Sequence, residues 1–162
     1  MNTELNERSQ LSAAIGYVME DYARAIDNDQ LERWPDFFEA ACTYKVTSRE
    51  NVEAGYPFGV IYADSRAMLQ DRVKSLRDAN IYEGQTYRHV MGRPWVTQVD
   101  GETVHAETSF MVVRVMRDGQ TTLFATGTYQ DVLRVTPDAI RLRERIVVCD
   151  SSRVDTLMAL PL

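Results

Sequence analysis

Histidines and cysteines are the side chains from which zinc and iron centres are often built, and this sequence has two of each: His89, His105, Cys42 and Cys149. None of them forms an HxxxH, CxxC or CxH pair, so the ligand spacing of a zinc site or an iron–sulfur cluster is missing. There is also no glycine-rich phosphate loop and no GxSxG elbow. We therefore predict no zinc or iron centre in this chain. The one exception would be a site built from carboxylates and histidines that lie far apart in the sequence.

General acid–base catalysis needs less, namely one histidine and one carboxylate that face each other in a dry pocket. His89 is the candidate, with Asp36 and Tyr44 at the mouth of such a pocket. Asp131 or Glu144 would lie deeper. In the structural alternative, His89 stands at the start of a strand and hydrogen-bonds a neighbour. We favour that alternative because no partner motif accompanies the histidine.

Composition is that of one soluble globular domain, with 162 residues, 44% of them apolar and 26% charged. The net charge of −6 argues against nucleic acid and against an anionic membrane surface as partners. No apolar run approaches the ~20 residues that span a bilayer, and the first residues do not resemble a signal peptide. We expect a cytoplasmic protein in which Cys42 and Cys149 are buried free thiols, because disulfides rarely persist in a reducing compartment.

Apolar periodicity predicts helices and short strands in the part of the chain before residue 86. Residues 1–8 read as a polar arm, and Ser9 is predicted to cap a helix over residues 9–25. A short helix over 31–39 and a longer one over Arg66–Ala79 follow. The predicted strands are 43–48 and 58–63, with a loop over 50–58. The apolar stripes are Leu11, Ile15, Val18, Tyr22 and Ile26 in the first helix, and Leu69, Val73 and Leu76, with Met68 alongside, in the last.

Residues 86–149 are predicted to form an antiparallel meander of four long strands. Asp100-Gly101 and Asp118-Gly119 each separate two strand-like runs and indicate type I′ hairpin turns. The first strand is interrupted at 92–94, because a proline cannot donate to the strand ladder. With residues 9–85 as a helical cover and 150–162 as an apolar tail, the chain is predicted to be a single α+β domain. We expect a curved, mostly antiparallel sheet packed on three N-terminal helices, a cone-like fold of the nuclear-transport-factor-2 or cystatin-like type.

Charged residues fall out of phase in the last two strands. Asp131 lies on the predicted apolar face of the third strand, and Glu144 on that of the fourth, opposite the row Arg141, Arg143 and Arg145. Charges are seldom buried without a partner, so either they meet arginines in buried pairs or this end of the sheet faces another chain. We favour the second alternative. The predicted apolar face of the third strand is Leu123, Ala125, Gly127, Tyr129, Leu133 and Val135.

The tail is apolar up to Leu160 and Leu162. It must be buried, either on its own sheet or against a partner, since it would otherwise form an exposed apolar patch. Both leucines are therefore candidates for subunit contacts, together with the out-of-phase charges.

Several motifs occur along the chain in a fixed order: Asp27, Leu31, Trp34, Phe37, Phe38 and Tyr44, then Leu69, Arg72, Val73 and Leu76, then Arg88-His89, and finally Asp155-Thr156-Leu157 with the apolar tail. In this order they resemble the small (β) subunits of Rieske-type aromatic-ring-hydroxylating dioxygenases. The resemblance covers essentially the whole chain. Two features depart from the family: Met91-Gly92 stands where Ser-Asn usually follows the Arg-His pair, and the connection over 78–85 lacks the proline-rich segment of naphthalene- or biphenyl-type members. A compact chain of this kind is compatible with a benzoate-, anthranilate- or salicylate-type enzyme.

The resemblance implies a structural subunit that performs no chemistry and holds no cofactor itself. A large (α) subunit would carry a Rieske [2Fe-2S] cluster and a mononuclear Fe(II) in an α3β3 assembly. Electrons would come from NAD(P)H through a ferredoxin or reductase. The competing hypothesis is a free-standing dehydratase or isomerase on the same fold, with His89 and Asp36 as acid and base.

Overall fold

The computed structural model describes residues 2–79, 82–153 and 158–162, so the Asp-Thr-Leu motif at 155–157 lies outside the described residues. No helix within these ranges is long and apolar enough to cross a bilayer. The elements in chain order are α1 (Asn2–Asp27), a 3₁₀ helix (Leu31–Phe37), β1 (Phe38–Ser48), α2 (Arg49–Glu53), β2 (Ile61–Ala63), α3 (Arg66–Ala79), β3 (Gln85–Met91), β4 (Trp95–Asp100), β5 (Thr103–Met116), β6 (Thr121–Val135) and β7 (Ile140–Cys149).

The described strands form one seven-stranded sheet in the order β2-β1-β7-β6-β5-β3, with β4 also beside β5. Strands β1 and β7 run parallel, and every other pair is antiparallel. The predicted meander is therefore confirmed, including its break at 92–94, where β3 ends and β4 begins. Both of these strands pair with β5, so the two halves of the predicted first strand share one partner. The α+β prediction is confirmed.

The helices cover one face of the sheet. Helix α1 contacts β3, β4 and the 3₁₀ helix, and α3 contacts β1, β2 and the 3₁₀ helix. Leu69 and Val73 of α3 are buried as predicted, and Leu76 packs against the core. Met68 is 42% exposed, so its predicted place on the stripe is wrong. At about 100° per residue it is turned away from Leu69 towards solvent.

The first helix begins earlier than predicted. Helix α1 starts at Asn2, so residues 2–8 of the expected polar arm are helical and Ser9 lies inside the helix instead of capping it. An ion pair one turn apart, Arg8 to Glu4 at 3.2 Å, supports this polar turn. Arg8 also donates to the carbonyl oxygen of Val96 at 3.1 Å, which ties the helix start to β4. The prediction of a polar arm was therefore wrong, because it rested only on the charged and polar residue types of this segment.

Other boundaries before residue 86 differ by a few residues. The second helix is a 3₁₀ helix, and β1 begins directly after it at Phe38 instead of at residue 43. The predicted loop over 50–58 contains part of the short helix α2, whose N-cap Ser48 accepts from the amide of Asn51 at 3.2 Å. Strand β2 is only three residues long.

The Asp-Gly turns form where predicted, but not as type I′ turns. Gly101 and Gly119 have φ of +57° and +89°, whereas Asp100, Glu102 and Asp118 do not have positive φ. A type I′ turn needs two central residues with positive φ. Gly101 is the first residue of the two-residue β4–β5 loop, and a single positive φ there fits a type II′ turn.

Strand β6 contains one extra residue. Val112 pairs with Ala125 but Val113 pairs with Leu123, so Phe124 is inserted between two rungs of the ladder. A bulge of this kind exchanges the two faces of a strand. Leu123 is accordingly 63% exposed, and its predicted place on the apolar face is wrong.

Candidate functional site

His89 of β3 is held by a carboxylate from the end of α1. The Nδ1 atom lies 2.6 Å from Oδ1 of Asp27, and the backbone amide of His89 donates to the other carboxylate oxygen at 2.9 Å. The His89 side chain has no exposed surface, and its Nε2 atom is buried without a hydrogen-bond partner among the described residues. The predicted structural role of His89 agrees with this geometry. Sequence reasoning missed Asp27 as the partner, because the two residues are 62 positions apart.

The structure does not bring Asp36 and Tyr44 to this histidine. Asp36 is exposed on the 3₁₀ helix, where its carbonyl oxygen accepts from Nη1 of Arg141 at 2.5 Å. Tyr44 is fully buried, and its hydroxyl bonds the backbone of Leu162 at 3.1 Å. The three members of the hypothetical acid–base site thus have separate partners, so the geometry that a dehydratase or isomerase would need is not assembled.

A groove of about 680 Å³ runs beside His89, between α1 and the β3–β4 connection. Its lining includes Gly16, Tyr17, Glu20 and Arg88. The imidazole ring offers no exposed surface to this groove. Asp27 and His89 themselves border the groove. A general acid or base must come within hydrogen-bond reach of its substrate, so a catalytic role for His89 would require its ring to become exposed.

Asp131 and Arg145 form a buried ion pair inside the chain. Arg145 donates from Nε and Nη2 to the two carboxylate oxygens at 2.8 and 2.7 Å, and neither side chain is exposed. Its guanidinium lies between the rings of Tyr22 and Tyr129, 4.4 and 4.0 Å from their centroids. Burial lowers the pKa of Arg145, but Asp131 outweighs it, so the pKa is raised overall. The alternative of a buried pair with an arginine, which we did not favour, is the one that holds for Asp131.

A second bulge explains why Arg145 points inward. Asp131 pairs with Arg145 and Val132 with Glu144, but Leu133 pairs with Leu142, so Arg143 is the extra residue of β7. The three arginines therefore do not share one face of β7. Arg145 is buried, whereas Glu144, which was predicted on the apolar face, is only half-buried. The expectation that Asp131 and Arg145 contact another subunit is wrong, because their side chains are enclosed by this chain.

The residues 158–162, which we call the tail segment, pack on the chain's own core. Leu160 is 5% exposed and Leu162 is not exposed at all. The carbonyl oxygen of Leu162 accepts from the hydroxyls of Tyr22 and Tyr44 at 2.8 and 3.1 Å. Burial on its own fold was one of the two alternatives for this segment. Leu160 and Leu162 are therefore not surface contacts for a partner.

Arg141 and Arg143 remain at the surface of β7. Arg143 donates to Glu39 at 2.8 Å and to the hydroxyl of Thr103 at 2.9 Å, which joins β7 to β1 and β5. Its side chain is still 41% exposed. Together with the half-buried Glu144, these arginines are the predicted contact residues that a partner could reach.

The donor set of this chain does not fit an iron centre. Among the residues that the structure describes, no group of three or more His, Cys, Asp or Glu side chains is arranged to hold a metal ion. Cys42 and Cys149 are free and buried, as predicted. Burial raises the pKa of both thiols, that of Cys149 to about 11, which disfavours the thiolate form that ligates metals.

Comparison with known proteins identifies the family behind this fold. The model of the family described as ring hydroxylating beta subunit matches residues 21–156. The chain is 48% identical over 141 residues to subunit beta 1 of the terminal oxygenase component of terephthalate 1,2-dioxygenase from Comamonas sp., covering 87% of this chain and 92% of the relative. It is 42% identical over 148 residues to the anthranilate 1,2-dioxygenase small subunit of Burkholderia cepacia, covering 90% and 91%.

Solved structures agree. A protein from Novosphingobium aromaticivorans, assigned as the beta subunit of an aromatic-ring-hydroxylating dioxygenase, superposes with a TM-score of 0.87 at 38% identity, covering 95% of this chain and 98% of that one. The beta subunit of benzoate 1,2-dioxygenase from Burkholderia mallei shares the fold at 16% identity, with a TM-score of 0.71 over 85% and 89% of the two chains. The fold is thus the curved-sheet, nuclear-transport-factor-2-like type that the sequence predicted. The chain belongs to the ring-hydroxylating beta-subunit family and is a subunit of an oxygenase.

Proposed function

We propose that this chain is the structural β subunit of a multicomponent Rieske oxygenase, and that it positions a large α subunit without taking part in the chemistry. The α subunit would hold the Rieske [2Fe-2S] cluster and a mononuclear Fe(II), which together supply the oxygen chemistry. A cytoplasmic α3β3 assembly fits this role, with a ferredoxin or reductase passing electrons from NAD(P)H. The observation that carries the proposal is family membership, combined with a structure in which His89, Asp36 and Tyr44 each have a separate partner.

An exposed apolar loop supports a protein partner. Five large apolar side chains between 46% and 77% exposed lie within eleven residues around β2: Val52, Tyr56, Phe58, Val60 and Tyr62. Monomeric proteins rarely expose such clusters, and obligate interfaces are rich in them. Strand β2 is also an edge of the sheet. We infer that the α subunit covers this loop.

The substrate of the assembled enzyme is proposed to be an aromatic carboxylic acid. The relatives that share 48% and 42% of their aligned residues with this chain are named for terephthalate and anthranilate. Salicylate and benzoate are further acids of the same class. Ring selectivity would be set in the α subunit, since this chain presents no described acid–base site of its own.

Co-expression tests the proposal. The chain would be produced with a neighbouring large subunit that carries CxH…CxxH, and purified through a tag on this chain alone. We expect the large subunit to co-purify with its iron, and native mass spectrometry to give equal numbers of the two chains. Failure to co-purify would reject the structural role. A His89→Ala variant that assembles with full iron content but loses turnover would instead favour a chemical role.

A further inference from the structure

A small cavity lies between the start of α1 and β4, next to the groove beside His89. Its volume is about 220 Å³. Pockets for drug-sized ligands have volumes of roughly 300–1,000 Å³, so this cavity takes only a small molecule, such as one ring with a single substituent. Its lining comes from α1, the β3–β4 connection and β4, and includes Leu5, Arg8, Ser12, Arg93, Pro94 and Val96.

Arg93 brings a positive charge to this cavity that no carboxylate of the described residues balances. Its Nε atom donates to the hydroxyl oxygen of Ser12 at 3.0 Å. Its Nη2 atom donates to the hydroxyl and carbonyl oxygens of Ser9 at 2.7 and 3.2 Å. All three acceptors are neutral, and none of the ion pairs in the described part of the chain includes Arg93. The two N–H groups of its Nη1 atom therefore remain available as donors.

The position of this guanidinium is fixed before a ligand arrives. Ser12 is 5% exposed, and its hydroxyl donates to the carbonyl oxygen of Pro94 at 2.5 Å. The Ser12 oxygen is thus left to accept from Nε of Arg93. An arginine that is already ordered loses less side-chain entropy when it binds an anion. Arg93 differs in this respect from a mobile surface arginine, whose ion pairs contribute little.

The second arginine of the cavity is already neutralised. Arg8 forms an ion pair with Glu4 at 3.2 Å. It also donates to the carbonyl oxygens of Val96 and Thr97 at 3.1 and 3.3 Å, which closes one side of the cavity against β4. The lining consequently has one unbalanced positive charge, that of Arg93, and this charge favours a ligand with a carboxylate over a neutral one.

The rest of the lining offers apolar surface. Leu5 is 68% exposed, because it lies on α1 ahead of Ser12, the first buried residue of that helix. Pro94 and Val96 are buried and continue the apolar wall. A ring placed against Leu5 and Pro94 would cover surface that the fold leaves open to water. Apolar walls with one fixed cation are complementary to an aromatic ring that carries a carboxylate.

We propose that this cavity binds a single-ring aromatic carboxylate, with the carboxylate on Nη1 of Arg93 and the ring against Leu5 and Pro94. The site is built by this chain alone and does not depend on assembly with an α subunit. Only the choice of benzoate as its probe rests on the substrate class proposed above. A β subunit with this site would hold an aromatic acid away from the chemistry, and the bound acid would stabilise the folded chain.

Benzoate is the probe, with benzamide as its neutral analogue and acetate as a carboxylate without a ring. Titration of the full-length chain, followed by ligand-observed NMR, should give a dissociation constant for benzoate on the order of 1 mM or below. Benzamide and acetate should each bind roughly tenfold more weakly, because each lacks one of the two contacts. At equal ionic strength, benzoate should raise the thermal midpoint of the chain more than acetate does.

Two variants test the contacts. Arg93→Gln removes the charge and should weaken benzoate binding roughly tenfold. Arg88→Gln is its matched control, since Arg88 is an exposed arginine of β3 outside the cavity lining. Because Arg93 also ties α1 to the β3–β4 connection, Leu5→Glu gives a second test at an exposed position. Its new carboxylate should repel benzoate, whereas Leu5→Met should keep the binding, and circular dichroism verifies that all four variants are folded.

Several results would overturn the proposal. Benzoate and benzamide could bind equally well, Arg93→Gln could bind benzoate as the wild type does, or Leu5→Glu and Leu5→Met could bind it alike. The co-purified complex gives an independent measurement. Binding that depends on Arg93 should persist there, and its loss would show that the large subunit covers the cavity and would reject a ligand site. A chain that fails to co-purify but binds benzoate through Arg93 would reject only the structural role proposed above.

Discussion

Arg145 and Asp131 make a two-point ion pair in which both nitrogen–oxygen distances are below 3 Å and neither side chain touches solvent. The pair joins β6 to β7 at a rung of the sheet that faces α1. Two aromatic rings enclose the guanidinium from either side. Each charge therefore depends on the other, because solvent reaches neither side chain.

Removal of one member of this pair should strongly destabilise the chain. We expect Arg145→Met to lower the free energy of unfolding by about 3–5 kcal/mol, because Asp131 is left as an uncompensated buried charge. Arg145→Met/Asp131→Leu should be much closer to wild type, since it removes both charges together. Urea denaturation measures both. Arg134→Met, which removes an exposed and ion-paired arginine from β6, is the control and should change little. A double variant as unstable as the single one would contradict this explanation.

The contact between Asp27 and His89 should contribute to stability and not to turnover. Asp27→Asn keeps the side-chain shape but removes the charge that meets two donors of His89. We expect the free energy of unfolding to fall by about 1–3 kcal/mol. Glu20→Gln makes the same charge change at an exposed site on the same helix, and should be neutral. If Asp27→Asn reduced the turnover of a fully assembled, iron-loaded oxygenase without loss of stability, the structural role would be refuted.

Alkaline pH should destabilise the fold through Cys149. Burial raises its pKa to about 11, so the unfolded chain loses this proton at lower pH than the native chain. The resulting stabilisation amounts to roughly 3 kcal/mol. It is present in full below pH about 9 and is lost as the pH rises through about 11. Urea denaturation at several pH values measures it.

Buried tyrosines have raised pKa values as well, and they act in the same direction at still higher pH. Cys149→Ala removes the thiol titration, so its stability should fall less between pH 9 and 11. A parallel pH profile for the variant and the wild type would exclude Cys149 as the cause.

The surface arginines of β7 are predicted to contact the α subunit. Arg141→Glu/Arg143→Glu should lower the amount of co-purified large subunit, because reversed charges repel the acidic groups that would face them. The chain itself should remain folded, as circular dichroism can verify. Arg33→Glu reverses an exposed arginine on the 3₁₀ helix and is the control. Unchanged assembly and activity in the double variant would remove these two residues from the interface.

The apolar loop around β2 is predicted to be a second part of that interface. Phe58→Ser/Tyr62→Ser removes two of its three exposed rings, 77% and 57% accessible, and should reduce co-purification without loss of fold. Trp95→Ser removes another ring that is 74% exposed, away from β2, and serves as the control. Equal effects of the two changes would mean that the loop is not a specific contact.

Local signals were enough to predict several elements. Helix α3 begins and ends at Arg66 and Ala79 as predicted, because its apolar spacing and flanking polar residues point to the same limits. Strand β5 runs from Thr103 to Met116, between the two Asp-Gly turns that the sequence predicted. Gly92-Arg93-Pro94 marked the break between β3 and β4, because proline lacks an amide for the ladder.

Long-range partners and bulges could not be predicted in the same way. Asp27 and His89 are brought together only when α1 lies across β3, which no local pattern records. The inserted residues Phe124 and Arg143 change which face of their strands is buried. The sequence on either side of each insertion still reads as a regular alternating strand, so the insertion itself is not visible. Asp131 was the sequence signal that pointed to the second bulge. A charge on the apolar face of a strand requires a partner, and here that partner lies on the neighbouring strand.

The extra residue at Arg143 lets Leu142 and Arg145 face the core together although they are three positions apart. Deleting Arg143 would leave them two positions apart, so both would still face the core in a strand that alternates strictly. Deleting Ile146, beyond the bulge, would instead turn Val147 and Cys149 away from the core. Natural variants of this strand should therefore accept the loss of one residue at the bulge, and almost never beyond Arg145.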